Sequence, residues 1–318
     1  MRRKELGKTG IAVSEIAFGG VEIGMPYGLG IHSQADMLPV PEAISLLHRS
    51  LDAGINFYDT ARLYGASETI MGLAFEGKRQ QVAIASKCRH LRTGSAALPD
   101  KRTIEKIIRD SLAESLRELR TDFIDIYMLH QADAEILRHE TVMRVFEDLK
   151  KSGSIRATGV STYSAEETRI ALDAGIWDVI QLPFNLLDQQ QRVHFEQAAR
   201  QGVALVARSV LMKGLLSSRG TTLPAPLEKV QAHIQRYLRL PGMNMAQLPA
   251  LATRFALSFP EIGAVLVGID REAYLQQTLL SIEQGNLDEG LMKQLKAMAY
   301  PDPDFLNLAR WAQEGWLK

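Results

Sequence analysis

AISLLHRSLDAGINFYDTARLYG, from Ala43 to Gly65, holds one full unit of the pattern that decides the fold. Ala43, Ile44, Leu47 and Leu51 fall at helical spacing and give the segment one apolar face. Gly54 follows, where a helix C-cap glycine is expected. INFYDT (Ile55 to Thr60) then reads as a strand whose apolar run is nearly continuous, as in parallel strands buried on both faces. The same order recurs along the chain. Further strands are expected in IAFGG from Ile16, VAIASK from Val82, FIDIYMLH from Phe123 and IRATGVST from Ile155. VIQLPFN from Val179, VALVARS from Val203 and GAVLVG from Gly263 bring the number to eight. Between them, Ile104, Ile107, Ile108, Leu112, Leu116 and Leu119 share one helical face, as do Val142, Val145, Phe146 and Leu149. Gly153, Gly175 and Gly202 repeat the role of Gly54. Alternating strands and helices predict an α/β protein: a (β/α)8 TIM barrel built as a single domain over residues 1–318.

Four segments stand outside the repeat. Residues 2–14, with Gly7 and Gly10 between short runs, predict a β-hairpin capping the barrel floor. Residues 24–41 and 217–249 read as long rim loops without periodicity, and so does the tail 300–318 near the active rim. Tyr27, Trp311 and Trp316 in these segments suit either an aromatic wall of a substrate site or anchors for the loops.

Composition narrows the function. The 318 residues are 46% hydrophobic and 23% charged, the balance of a globular protein with a large core. Lys plus Arg and Asp plus Glu both number 37, so no net charge draws the chain to nucleic acid or an anionic membrane. No apolar run follows the basic N-terminus as in a signal peptide, and none reaches the ~20 residues of a membrane helix. A cytoplasmic protein, monomeric by default, is expected. The single Cys88 leaves no internal disulfide and no multi-thiolate zinc site. His90, His139, His194 and His233 lack metal-ligand spacing, and no metal is expected.

Asp59, Tyr64, Lys87 and His130 lie at or just past the ends of neighbouring strands, where barrel active sites are found. Each alone has an ordinary reading as a turn former, rim aromatic, solvated charge or structural histidine. Together they differ. A lysine ending an apolar strand needs a partner, and Asp59 on the adjacent strand is one. The ammonium is then expected to lower the pKa of the Tyr64 phenol toward the working pH. His130 is placed to hydrogen-bond the same carbonyl oxygen. Hydride on carbon and proton on oxygen is the chemistry such a set suits. Cys88 reads as strand-end packing.

GINFYDTARLYGASE (Gly54 to Glu68) resembles the catalytic segment of the aldo-keto reductase superfamily, and ASK (85–87), IDIYMLH (124–130) and GVST (159–162) match its later signatures in order. The resemblance covers nearly the whole chain. It implies a barrel that binds NADP or NAD in extended form without a Rossmann domain, and no GxGxxG follows a strand here. It also implies that Ser161, Thr162 and Gln181 meet the nicotinamide carboxamide, Thr162 standing where many relatives have Asn. Ser209, Leu211 and Gly214 would lie along the ribose and pyrophosphate, and Gly268, Asp270 and Arg271 at the adenosine end. Arg208 takes the place where many relatives stack a tyrosine on the nicotinamide. Arg271 would favour a 2′-phosphate and Asp270 would oppose it; the family's usual preference points to NADP. The expected function is reduction of an aldehyde, ketone or sugar carbonyl. Two others stay open: a Schiff-base aldolase using Lys87, and a nucleotide-binding regulatory barrel without turnover.

Overall fold

The computed structural model describes residues 1–92 and 96–317. Strands β1 (Arg3–Glu5) and β2 (Ala12–Ser14) pair antiparallel as the expected hairpin. Eight strands follow: β3 (Ile16–Gly19), β4 (Phe57–Asp59), β5 (Ala83–Lys87), β6 (Ile124–Leu129), β7 (Ile155–Ser161), β8 (Val179–Pro183), β9 (Ala204–Arg208) and β10 (Ile262–Gly268). All eight are parallel and close in chain order, β10 pairing with both β9 and β3. Each lies within a segment expected to be a strand, save that β10 begins one residue earlier, at Ile262.

Helices Val40–Asp52, Ser67–Ala74, Lys101–Glu118, Glu140–Lys151, Ala165–Ala174 and Phe195–Gln201 fill the successive connections. Gly54, Gly153, Gly175 and Gly202 all take positive φ just after a helix, the conformation glycine adopts at least cost. Their apolar faces pack with the outward side chains of the sheet in one large cluster. A second cluster fills the barrel itself: Leu6, Ile11 and Val13 of the hairpin segment meet Ala17, Phe57, Ala85, Ile126, Met128 and Val206. The hairpin thus plugs the end of the barrel opposite the strand C-termini. Gly7 is required there, because a Cβ would lie 2.2 Å from the Gly202 carbonyl oxygen.

The outlying segments are more regular than expected. Residues 217–249 contain the helix Glu228–Leu238, with Val230, His233, Ile234 and Tyr237 buried at helical spacing. The tail forms the helix Leu308–Gln313, and Trp311 on it is fully buried, 5.5 Å from Phe305 between ring centres. Trp311 is therefore an anchor and not part of an aromatic wall, while its neighbours Leu308 and Ala309 line the cleft described below. Among the described residues no helix is long and apolar enough to cross a membrane.

Candidate active site

Side chains alternate along a strand, so a residue two places beyond an inward-facing one points into the barrel mouth. Asp59, Lys87, His130, Gln181 and Arg208 each stand two residues past Phe57, Ala85, Met128, Val179 and Val206 of the inner cluster. Ser161 stands two past Gly159, where a Cβ would meet Met128 inside the barrel. The register keeps them level: Asp59 pairs with Ala85, Lys87 with Met128, and Ser161 with Gln181. Six strands thereby deliver six polar side chains to one rim.

Tyr64 comes from the turn after β4. That turn is laid on β5 by the Thr60 and Arg62 amides, which donate to the Ala85 and Lys87 carbonyls at 2.8 and 3.1 Å. Arg62 also pairs with buried Glu68. The Lys87 Nζ has no exposure and donates to both Asp59 carboxylate oxygens at 2.8 and 2.7 Å, and to the Thr60 carbonyl at 3.0 Å. The Tyr64 hydroxyl is 3.4 Å from the same nitrogen. Gln181 Nε2 donates to Asp59 at 2.7 Å, completing the carboxylate's partners. The His130 ring meets Tyr64 edge-on, with centres 5.6 Å apart.

Burial governs the ionisation of this cluster. It pulls the Lys87 ammonium below its ordinary range, against the pull of Asp59. Burial, then Lys87, hold His130 well below the usual imidazole value, so the ring is neutral at physiological pH. Tyr64 departs from expectation: burial first, then the Asp59 carboxylate, push its phenol well above 10. The ammonium's charge is already committed to Asp59, so it does not draw the phenol down.

A cleft of about 350 Å³ opens above the cluster. Tyr64, His130, Ser161, Gln181, Arg208, Ser209, Leu211, Gly214, Gly268 and Asp270 line it. The loop after β3 reaches across to the loop after β9, the Leu29 amide donating to the Lys213 carbonyl at 3.0 Å. The sequence profile described as the Aldo/keto reductase family matches residues 15–299. The chain belongs to that family. Its oxidoreductases act on carbonyls. The NADH-specific methylglyoxal reductase of Escherichia coli is 28% identical over 326 residues, covering 93% of this chain and 98% of that protein. The uncharacterized oxidoreductase YqkF of Bacillus subtilis is 25% identical over 95% of this chain and 98% of its own. The holo form of aldo-keto reductase AKR11C1 from Bacillus halodurans superposes with a TM-score of 0.76 at 25% identity, covering 95% and 99% of the two chains.

Within this aldo/keto reductase three expected residues stand differently. Thr162 is buried with its hydroxyl on Thr168, so only its carbonyl turns toward the cleft side, to Arg208. Arg271 lies outside the cleft lining and reaches Asp270 at 3.3 Å. Arg208 stacks on Tyr163 at 4.4 Å. Cys88 is wholly buried, with its thiol pushed up to about 12 by that burial, in keeping with packing.

Other lining residues escaped sequence reasoning. Glu22, on a single helical turn after β3, presses against Gly268, and burial raises its carboxyl to about 8. Arg219 reaches Asp270 at 3.3 Å from the far side of the cleft. Tyr163 and Lys213 also line it. None lies in a periodic element, though Tyr163 directly follows, and Lys213 lies within, a segment singled out for the cofactor. Ser209, Met212 and Lys213 take positive φ, a strain that non-glycine residues keep mainly at functional sites.

Proposed function

We propose that this aldo/keto reductase transfers hydride between NAD(P)H and an aldehyde, ketone or sugar carbonyl, with Tyr64 as proton donor. One observation carries the reading: a lysine ammonium with no exposure, clamped by Asp59 and 3.4 Å from the Tyr64 hydroxyl, at the base of the cleft. Tyr64 stays protonated through neutral pH and can donate to a carbonyl oxygen. Lys87 then lies beside the phenolate that donation leaves. Neutral His130 supplies a further hydrogen bond to the same oxygen.

The cleft fits a dinucleotide. The segment Ser209–Gly214, with positive φ at Ser209, Met212, Lys213 and Gly214, lines the cleft, and turns of this kind can present backbone amides to phosphates. Lys213 and Arg219 bring cations to it. Gly20 and Gly268 also line the cleft, and among the described residues Glu22 Oε2 and Arg208 Nε are buried without hydrogen-bond partners. A bound nicotinamide cofactor supplies the hydride, its carboxamide held by Ser161 and Gln181. Arg219 and Arg271 outnumber Asp270 at the adenosine end, which favours NADP over NAD by a modest margin. The NADH-specific relative in E. coli is a reason to test both.

Lys87 is a poor Schiff-base nucleophile, because it lies beneath Asp59 and Tyr64 and does not line the cleft. Screening aldehydes, ketones and sugars with NADPH and NADH tests the proposal. Nicotinamide-dependent turnover is expected. Tight nucleotide binding without turnover on any carbonyl would favour a regulatory barrel instead.

A further inference from the structure

Three of the charged side chains that line the cleft, Asp59, Arg219 and Asp270, are in ion pairs. Asp59 is held by Lys87 and Asp270 by Arg219 and Arg271. Arg208 is an exception at the catalytic end. Its Nη2 donates to the Thr162 carbonyl at 2.8 Å and its Nη1 to Ser209 Oγ at 3.1 Å, while its face lies 4.4 Å from the centre of the Tyr163 ring. These are neutral partners, and among the described residues no carboxylate forms an ion pair with it. Three contacts from the residues just past β7 and β9 hold the guanidinium in place. Its charge acts directly on the reaction centre, where it helps depress His130 and opposes the rise of Tyr64. Its buried Nε has no partner among the described residues.

Resting on the nicotinamide seat argued above, we propose that Arg208 discriminates between the redox states of the cofactor, selecting the reduced form over the oxidised one. The oxidised nicotinamide ring carries a positive charge that the reduced ring lacks. Ribose, diphosphate and adenine are common to both and contribute equally to both affinities. A fixed cation against the ring is therefore a difference term, which is the only kind that separates two ligands sharing every other contact. Unit charges several ångströms apart at an effective dielectric of ~20 repel strongly enough for roughly ten- to a hundredfold in relative affinity. With both forms present, the site fills with reduced cofactor and releases the oxidised form readily. The chain is thereby set up to reduce carbonyls in the face of a large oxidised pool.

The test is equilibrium binding without turnover. Dissociation constants for NADPH, NADP⁺, NADH and NAD⁺ are measured by tryptophan-fluorescence quenching and calorimetry for wild type, Arg208→Lys, Arg208→Gln and Arg208→Tyr. Wild type should bind the reduced member of each pair at least tenfold more tightly, and Arg208→Lys should keep most of that ratio. Both neutral variants should lower it by about ten- to a hundredfold, chiefly through tighter binding of the oxidised form. A role in packing alone would weaken both forms by the same factor in Gln and Tyr variants and leave the ratio standing, which would overturn the inference. Failure of wild type to bind any of the four nucleotides would overturn the dinucleotide reading itself, and this inference with it.

Discussion

Lys87 shows most directly how this chain joins stability to chemistry. An ammonium with no exposure is costly to bury, and Asp59 offsets that cost with two short hydrogen bonds. Breaking such a pair from one side strands the other charge. Lys87→Met and Asp59→Asn should each destabilise the fold by about 3–5 kcal/mol, yet together cost clearly less than their sum. Urea unfolding of the three variants measures this, and strict additivity would speak against the coupling. Asp59, Lys87 and His130 were legible in the sequence because polar residues ending apolar strands have few other reasons to be there. The ionisation of Tyr64 was not legible. Its direction depends on how much of the Lys87 charge Asp59 consumes and how deeply the phenol is buried, and neither is written in spacing. Tyr163 was missed for a related reason. It lies just past the end of β7, where alternation stops being a guide to which side chain faces the cleft.

At the scale of elements, the wall between β3 and β10 holds two carboxyls, Glu22 and Asp270, and the Arg219 guanidinium acts on both. Glu22 has its carboxyl raised from 4.5 to about 8 by burial. A raised acid pKa means that the folded state resists ionisation the unfolded chain accepts, so stability falls as pH rises from 4.5 through 8. Glu22→Gln should remove that slope. Its melting temperature should exceed that of wild type most at pH 8 and above, and the difference should close toward pH 4.5. Parallel curves for the two proteins would show that Glu22 ionises as it does in the unfolded chain. The loop after β10 carries the 2′ reader proposed above: Asp270 lies between Arg219 and Arg271. Asp270→Ser should shift the ratio of NADP to NAD affinity toward NADP by about tenfold or more, since a charge-assisted contact is worth ~1.5–3 kcal/mol. Direct binding measurements with both cofactors check it, and an unchanged ratio would place the 2′ position elsewhere. Arg271 was visible in the sequence, but Arg219 sits 51 positions away on an excursion whose path no periodicity predicted.

For the whole molecule, the barrel was readable because the repeat of amphipathic segment, glycine and apolar strand occurs often enough to exclude other layer architectures. The outlying segments were not, since their order comes from single anchors. Trp311 is one. Trp311→Ala should cost about 3–5 kcal/mol of stability by cavity formation, seen as a lower denaturant midpoint. It should also weaken substrate binding, because Leu308 and Ala309 beside it line the cleft. A variant as stable as wild type would show the tail to be loosely attached. The central claim, that the rim cluster is a proton donor for carbonyl reduction, is tested most directly by carbonyl turnover in Tyr64→Phe, with cofactor affinity measured on the same protein. The ring and its packing remain while the proton is lost. Turnover should fall by at least ~10²-fold with the dissociation constant for NADPH nearly unchanged. Turnover close to that of wild type would contradict the account.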